Sequence, residues 1–132
     1  MTLPQDLRYS DTHEWARLEK DGTVVVGITD FAVKQLQDLV FIDLPKAGAR
    51  VEKGKRFGEI ESVKAVSDLI APISGTIAAV NDALAKNLDP LAAEPYGQGW
   101  MIRVKPDAPG DAALAGLLDA AAYEKVAAAG GH

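Results

Sequence analysis

Phe57–Ile77, FGEIESVKAVSDLIAPISGTI, decides how the rest of the chain is read. Two stretches rich in Ile, Val and Leu flank a short break at Val63-Lys64-Ala65-Val66, with Gly54 and Gly58 before and Gly75 after. Apolar β-forming runs around such a break, bounded by glycine, predict a β-hairpin. Lys64 and Ala65 would be the central turn residues. Neither adopts positive φ readily, so a type I turn is expected rather than a primed one. The Lys64 ammonium then stands at the most exposed point of the hairpin, and it is the only lysine between Lys55 and Lys86. This turn sets Ser62 opposite Ser67, and Glu61 opposite Asp68. A serine pair is neutral, but two facing carboxylates cost stability. Either solvent screening makes that cost small, or acids that frame a lysine are read by something outside the domain.

The whole chain narrows the possibilities. Its 132 residues suit one domain with a core of its own. The expected division is a core over about 9–106 and a helical tail over about 107–129, within a single unit 1–132. There is no cysteine, which excludes disulfides, thiolate metal sites and cysteine nucleophiles. Two histidines leave little material for a zinc site, and no metal is expected. A net charge of −5 argues against nucleic-acid binding, which needs a basic face. No apolar run reaches membrane-spanning length, and residues 1–10 lack a signal-peptide pattern. A cytoplasmic protein is expected, or a mitochondrial-matrix one if a transit peptide has been removed.

Along the chain, His13–Leu18 and Thr23–Ile28 flank the turn signal Asp21-Gly22 and predict a first hairpin. Thr29 or Asp30 can cap a helix over 31–38, burying Ile28, Phe31, Ala32 and Leu36. Leu39–Leu44, Thr76–Val80 and Trp100–Val104 read as strands, with one helical turn near Pro90–Ala93. From Asp107 to Ala129 the chain turns alanine-rich. Leu114, Leu117, Leu118, Tyr123 and Val126 stand at helical spacing, so one or two helices broken near Asp119 and closed by Gly130-Gly131 are expected. Many short strands with few helices predict a β-sandwich or flattened barrel.

Glu61-Ser62-Val63-Lys64-Ala65, followed by Ser67-Asp68, Pro72 and Ser74-Gly75, resembles the lipoylation hairpin of the H-protein of the glycine cleavage system. Thr12-His13-Glu14-Trp15, Gly27-Ile28-Thr29-Asp30, and Pro95-Tyr96-Gly97 with Gly99-Trp100 extend the resemblance from about Tyr9 to Tyr123, in the family's order. It implies a barrel-sandwich hybrid like other lipoyl and biotinyl carriers. It also implies lipoate in amide linkage on Lys64, with Glu61, Asp68 and Gly75 serving recognition by the lipoate-attaching enzyme. In such a carrier the arm takes an aminomethyl group from the pyridoxal-phosphate-dependent glycine decarboxylase. A tetrahydrofolate-dependent aminomethyltransferase unloads it, and dihydrolipoamide dehydrogenase reoxidises it. The protein alone is then not an enzyme. Thr12, Glu14 and Asp68 match positions near the loaded arm when it docks on the surface. Thr12 stands where some members have Ser, Gln37 where glycine is frequent, and Ala71 where serine is common.

Biotin carriers flank their lysine with methionine, and here Val63 and Ala65 stand in those places. Lipoyl domains of 2-oxoacid dehydrogenases carry Asp before the lysine, where this chain has Val63. Two rival roles remain compatible with the residues. One is a relay that supplies lipoate to other enzymes. The other is an enzyme using Glu14, His13 and Asp68, although adjacent strand residues such as His13 and Glu14 point to opposite faces. Gly97-Gln98-Gly99 lacks the third glycine of a dinucleotide fingerprint, and the stretch from Gly48 to Lys55 lacks the spacing of a P-loop.

Overall fold

The computed structural model describes residues 3–129; the expected closure at Gly130-Gly131 lies outside the described residues. Two antiparallel sheets face one another. The larger has the order β1-β2-β3-β9-β8-β5, from Arg8–Tyr9, Glu14–Leu18, Val24–Ile28, Ile102–Pro106, Gly75–Val80 and Arg50–Val51 respectively. The smaller has the order β4-β6-β7, from Leu39–Asp43, Arg56–Ser62 and Val66–Ile70. Helix α1 spans Asp30–Leu36, α2 Asp89–Ala93, α3 Gly110–Leu114 and α4 Ala120–Ala128, with a 3-10 turn at Asp82–Ala85. The fold is the barrel-sandwich hybrid expected from the sequence.

Why β3 reads as an uninterrupted apolar run is clear from its surroundings. All five of its residues are buried. Val24, Val26 and Ile28 enter the core between the sheets, while Val25 enters a second cluster with Tyr9, Trp15 and Tyr123. A strand covered on both faces needs no polar alternation. The second cluster is closed by α4, capped by Asp119, whose carboxylate accepts from the Ala122 amide at 2.8 Å. Tyr123 stacks on Tyr9 at 4.9 Å between ring centroids. Burial of each such large side chain stabilises the fold by about 2–3 kcal/mol, so the C-terminal helix is a packed part of the molecule.

Four expectations shift. The helix after Thr29 buries Val33 most deeply, whereas Phe31, Ala32 and Leu36 are only half-buried because they line a cavity. Strand β2 begins at Glu14, and His13 precedes it with φ 78°, so the strand alternation expected for His13 and Glu14 does not apply. The last strand is Ile102–Pro106, set later than Trp100–Val104, since Met101 already bonds Val26 from outside the ladder. The helical turn expected near Pro90–Ala93 is α2, and a 3-10 turn over Asp82–Ala85, not expected from the sequence, precedes it.

Candidate functional site

The lysine hairpin is β6 and β7, and its register differs from expectation. Glu61 faces Val66, Ile60 faces Ser67 and Glu59 faces Asp68. The turn therefore lies one residue earlier, with Val63 and Lys64 at its centre. Ser62 causes this. Its amide donates to the Ala65 carbonyl at 2.8 Å, and its buried hydroxyl accepts from the Ala65 amide at 3.2 Å. A serine that supplies turn hydrogen bonds fixes where the chain reverses. The tip is also stitched to the loop after α1, through the Val63 amide and the Asp38 carbonyl at 2.9 Å.

The facing carboxylates are consequently Glu59 and Asp68, not Glu61 and Asp68. Asp43 lies across Glu59 on the other side, so three acids form one cross-strand row. The chain offsets their repulsion with Arg56, whose guanidinium lies 3.1 Å from Asp68 and 3.4 Å from Glu59. Nearer the tip the row is Phe41, Glu61 and Val66. Lys64 itself is exposed and makes no hydrogen bond or ion pair among the described residues. Around it stand Val40, Phe41, Val63 and Val66, between 49% and 75% exposed; among the described residues the one other exposed large apolar side chain is Leu18. Phe41 and Val66 flank Glu61 in one cross-strand row, and exposed apolar groups gathered near the turn mark a contact surface.

A cavity of about 140 Å³ opens between this hairpin and α1. Thr12, His13, Phe31, Leu36, Asp68 and Leu69 are among its lining residues. From Val66 to Asp68 the strand advances only about 7 Å, within reach of a long group attached at Lys64. The structure thus brings Thr12 and Asp68 together on one cavity.

Glu14 sits differently from an exposed acceptor. It is 1% exposed. One oxygen accepts from the Ser10 and Thr12 hydroxyls at 2.7 and 2.5 Å, and the other from the Ile70 amide at 3.1 Å. Burial raises its pKa from 4.5 to about 7, against the opposing pull of the Thr12, Ile70 and Ser10 hydrogen bonds. Glu14 therefore lies behind Thr12 and ties the end of β7 to the N-terminal loop.

Gly75 lies on the other sheet, in β8. A Cβ there would stand 2.3 Å from the Lys105 carbonyl oxygen, so close strand packing already requires glycine. His13 and Asp68 both line the cavity, but Glu14 is buried behind Thr12 and is not among its lining residues, so the three do not form one exposed set. Among the described residues no cluster of three potential metal ligands exists, and no helix is long and apolar enough to cross a membrane.

Residues 7–129 match the family profile described as glycine cleavage H-protein. The chain belongs to that family. A glycine cleavage system H protein of Anaeromyxobacter sp. strain K is 52% identical over 124 residues, covering 94% of both chains. That of Nitratidesulfovibrio vulgaris is 49% identical over the full length of both. The crystal structure of a glycine cleavage system H protein from Mycobacterium marinum superimposes with a TM-score of 0.84 at 44% identity, covering 93% of this chain and 97% of the other.

Arg56 and Ser10 also belong to the site and were not singled out from the sequence, and Ser62 and Tyr123, read there as a motif residue and a helix position, prove to shape it as well. Ser62 carried a readable signal, a hydroxyl three residues before a candidate turn end. The partnership of Arg56 depends on a bulge between Arg56 and Gly58 that shifts the register, and the sequence does not announce it. Tyr123 meets its partners only through tertiary packing, whereas Ser10 reaches Thr12 and Glu14 within four residues of chain.

Proposed function

We propose that this H-protein is the lipoyl carrier of a glycine cleavage system, with lipoate in amide linkage on Lys64. The observation that carries the reading is an exposed lysine on a doubly pinned turn, without an ion pair among the described residues and with exposed apolar side chains at Val63, Val66 and the neighbouring strand β4. Lys64 fits such a group because its amine is free to be acylated, and the turn beneath it holds the attachment point still. When attached, the dithiolane would supply the group-transfer and redox chemistry, receiving the aminomethyl unit and being reoxidised by partner enzymes.

The protein's own residues present and shelter. Ser62 and Asp38 fix the tip. Glu61 and Asp68 offer negative charge to the lipoate-attaching enzyme. Gly75 fixes β8, the strand that follows the hairpin, by its close fit to β9. Val40, Phe41, Val63 and Val66 offer an apolar landing face to partners, which on this reading are a pyridoxal-phosphate glycine decarboxylase, a tetrahydrofolate aminomethyltransferase and dihydrolipoamide dehydrogenase. Thr12 and Asp68 line the cavity that shelters the loaded arm, and Glu14, behind Thr12, places its hydroxyl. The chain catalyses nothing alone, which suits a cytoplasmic carrier.

Reconstitution tests this. Lipoylated wild-type protein should support glycine-dependent carbon dioxide release with the decarboxylase and the other components, and Lys64→Arg should abolish it. Full activity from the Lys64→Arg variant would overturn the reading.

A further inference from the structure

The cavity beside the hairpin has two walls that the lysine strands do not build. One is the Thr12-His13 loop, and the other is the start of α1 with Phe31 and Ala32. Both are gripped by one atom of the C-terminal helix. The Tyr123 hydroxyl lies 2.7 Å from His13 Nδ1 and 2.7 Å from the Thr29 hydroxyl. Thr29 in turn accepts from the Ala32 amide at 3.3 Å, capping α1. The His13 carbonyl accepts from the Thr29 amide at 3.0 Å, so the two walls also touch directly.

We propose that Tyr123 is a positioning residue for the arm cavity, its hydroxyl fixing the distance between the Thr12-His13 loop and α1. This rests on the docking role given to that cavity above. Two features make the hydroxyl decisive rather than the ring. The ring is fully buried and already anchored by its stack on Tyr9. His13, by contrast, holds φ 78°, a conformation that non-glycine residues keep only when surroundings over-determine it. Burial pushes the Tyr123 hydroxyl up to about 12, so it remains a proton donor throughout the neutral range. Helix α4 is therefore coupled to the chemistry at a hairpin with which it shares no strand.

The test uses full-length protein. Tyr123→Phe keeps the ring and removes both hydrogen bonds. In unmodified protein, amide exchange should quicken at His13, Glu14, Thr29 and Ala32 and remain unchanged in β8 and β9. In lipoylated, aminomethyl-loaded protein, spontaneous breakdown is hydrolysis: water adds at the methylene, the carbon–sulfur bond breaks, the sulfur takes a proton, and formaldehyde and ammonia leave. Ammonia release should rise about fivefold, the factor given by losing one ordinary hydrogen bond's worth of positioning. Thr29→Val should behave as Tyr123→Phe does, whereas Thr29→Ser and His13→Asn, which keep a hydrogen-bonding atom in place, should stay near wild type. These pairs decide the matter even if Tyr123→Phe folds poorly. Wild-type exchange and release in both Tyr123→Phe and Thr29→Val would overturn the inference. If Thr12→Val and Asp68→Asn also leave release unchanged, the docking role of the cavity falls with it; if they speed release, the positioning role of Tyr123 alone falls.

Discussion

Replacing Glu14 by Gln should remove a pH dependence from the stability of this fold. The Glu14 carboxyl is 1% exposed, and burial raises its pKa from 4.5 to about 7. The folded state therefore binds its proton more tightly than the unfolded chain. The resulting stabilisation is complete below pH 4.5, fades as pH rises through the window from 4.5 to 7, and is gone above it. At 1.36 kcal/mol per pH unit the whole effect is on the order of 3 kcal/mol, with roughly 2–3 kcal/mol falling between pH 5 and 8. Gln keeps an acceptor for the Ser10 and Thr12 hydroxyls, but its amide group must face the Ile70 amide. That mismatch lowers stability by a constant amount and leaves the slope alone. Denaturant midpoints of both proteins, taken at intervals from pH 5 to 8, isolate the difference because all other groups titrate in common. The wild type should lose roughly 2–3 kcal/mol relative to the variant across that range. Two parallel curves would show that Glu14 is ionised throughout and that its surroundings solvate it far better than burial indicates.

Glu61→Gln should slow lipoylation at Lys64 by an attaching enzyme while leaving the melting temperature within a degree or two, since Glu61 makes no ion pair among the described residues; a large loss of stability with normal lipoylation would contradict this. Gln37 ends α1 with φ 63° and ψ −133°, so Gln37→Gly should raise stability by about 1 kcal/mol, the relief of strain exceeding the entropy that glycine adds to the unfolded chain. Chemical denaturation measures it, and a destabilised variant would mean that the Gln37 side chain makes a compensating contact. Arg56→Met should destabilise the hairpin by roughly 1 kcal/mol at low salt and less at high salt, because Asp43, Glu59 and Asp68 would then repel across three strands. A salt-independent loss would assign the role of Arg56 to packing instead.

The fold was legible where local chemistry and tertiary outcome agree. Asp21-Gly22 turned the first hairpin, Thr29 capped α1, and the run Thr23–Ile28 marked the strand β3. Lys64 at a hairpin tip was legible for the same reason. The register was not. A two-residue turn centred on Lys64-Ala65 and one centred on Val63-Lys64 put the same side chains on the same faces, since the facing partner moves by two positions. Hydrophobic alternation cannot distinguish them. The buried Ser62 hydroxyl decided the choice. Glu14 shows a different limit: a carboxylate beside hydroxyl residues reads as an exposed acceptor, and only tertiary packing against Ile70 reveals that both oxygens are already used. His13 was misplaced on a strand because a left-handed residue at a strand's edge leaves no mark in a short alternating pattern.

The central claim is that Lys64 carries the cofactor. The most direct test is peptide mapping by mass spectrometry of the protein after treatment with a lipoate-attaching enzyme, alongside the Lys64→Arg variant. One lipoyl group should appear, confined to the peptide that contains Lys64, and the variant should take up none. A lipoyl group on any other lysine, or on the Lys64→Arg protein, would contradict the account.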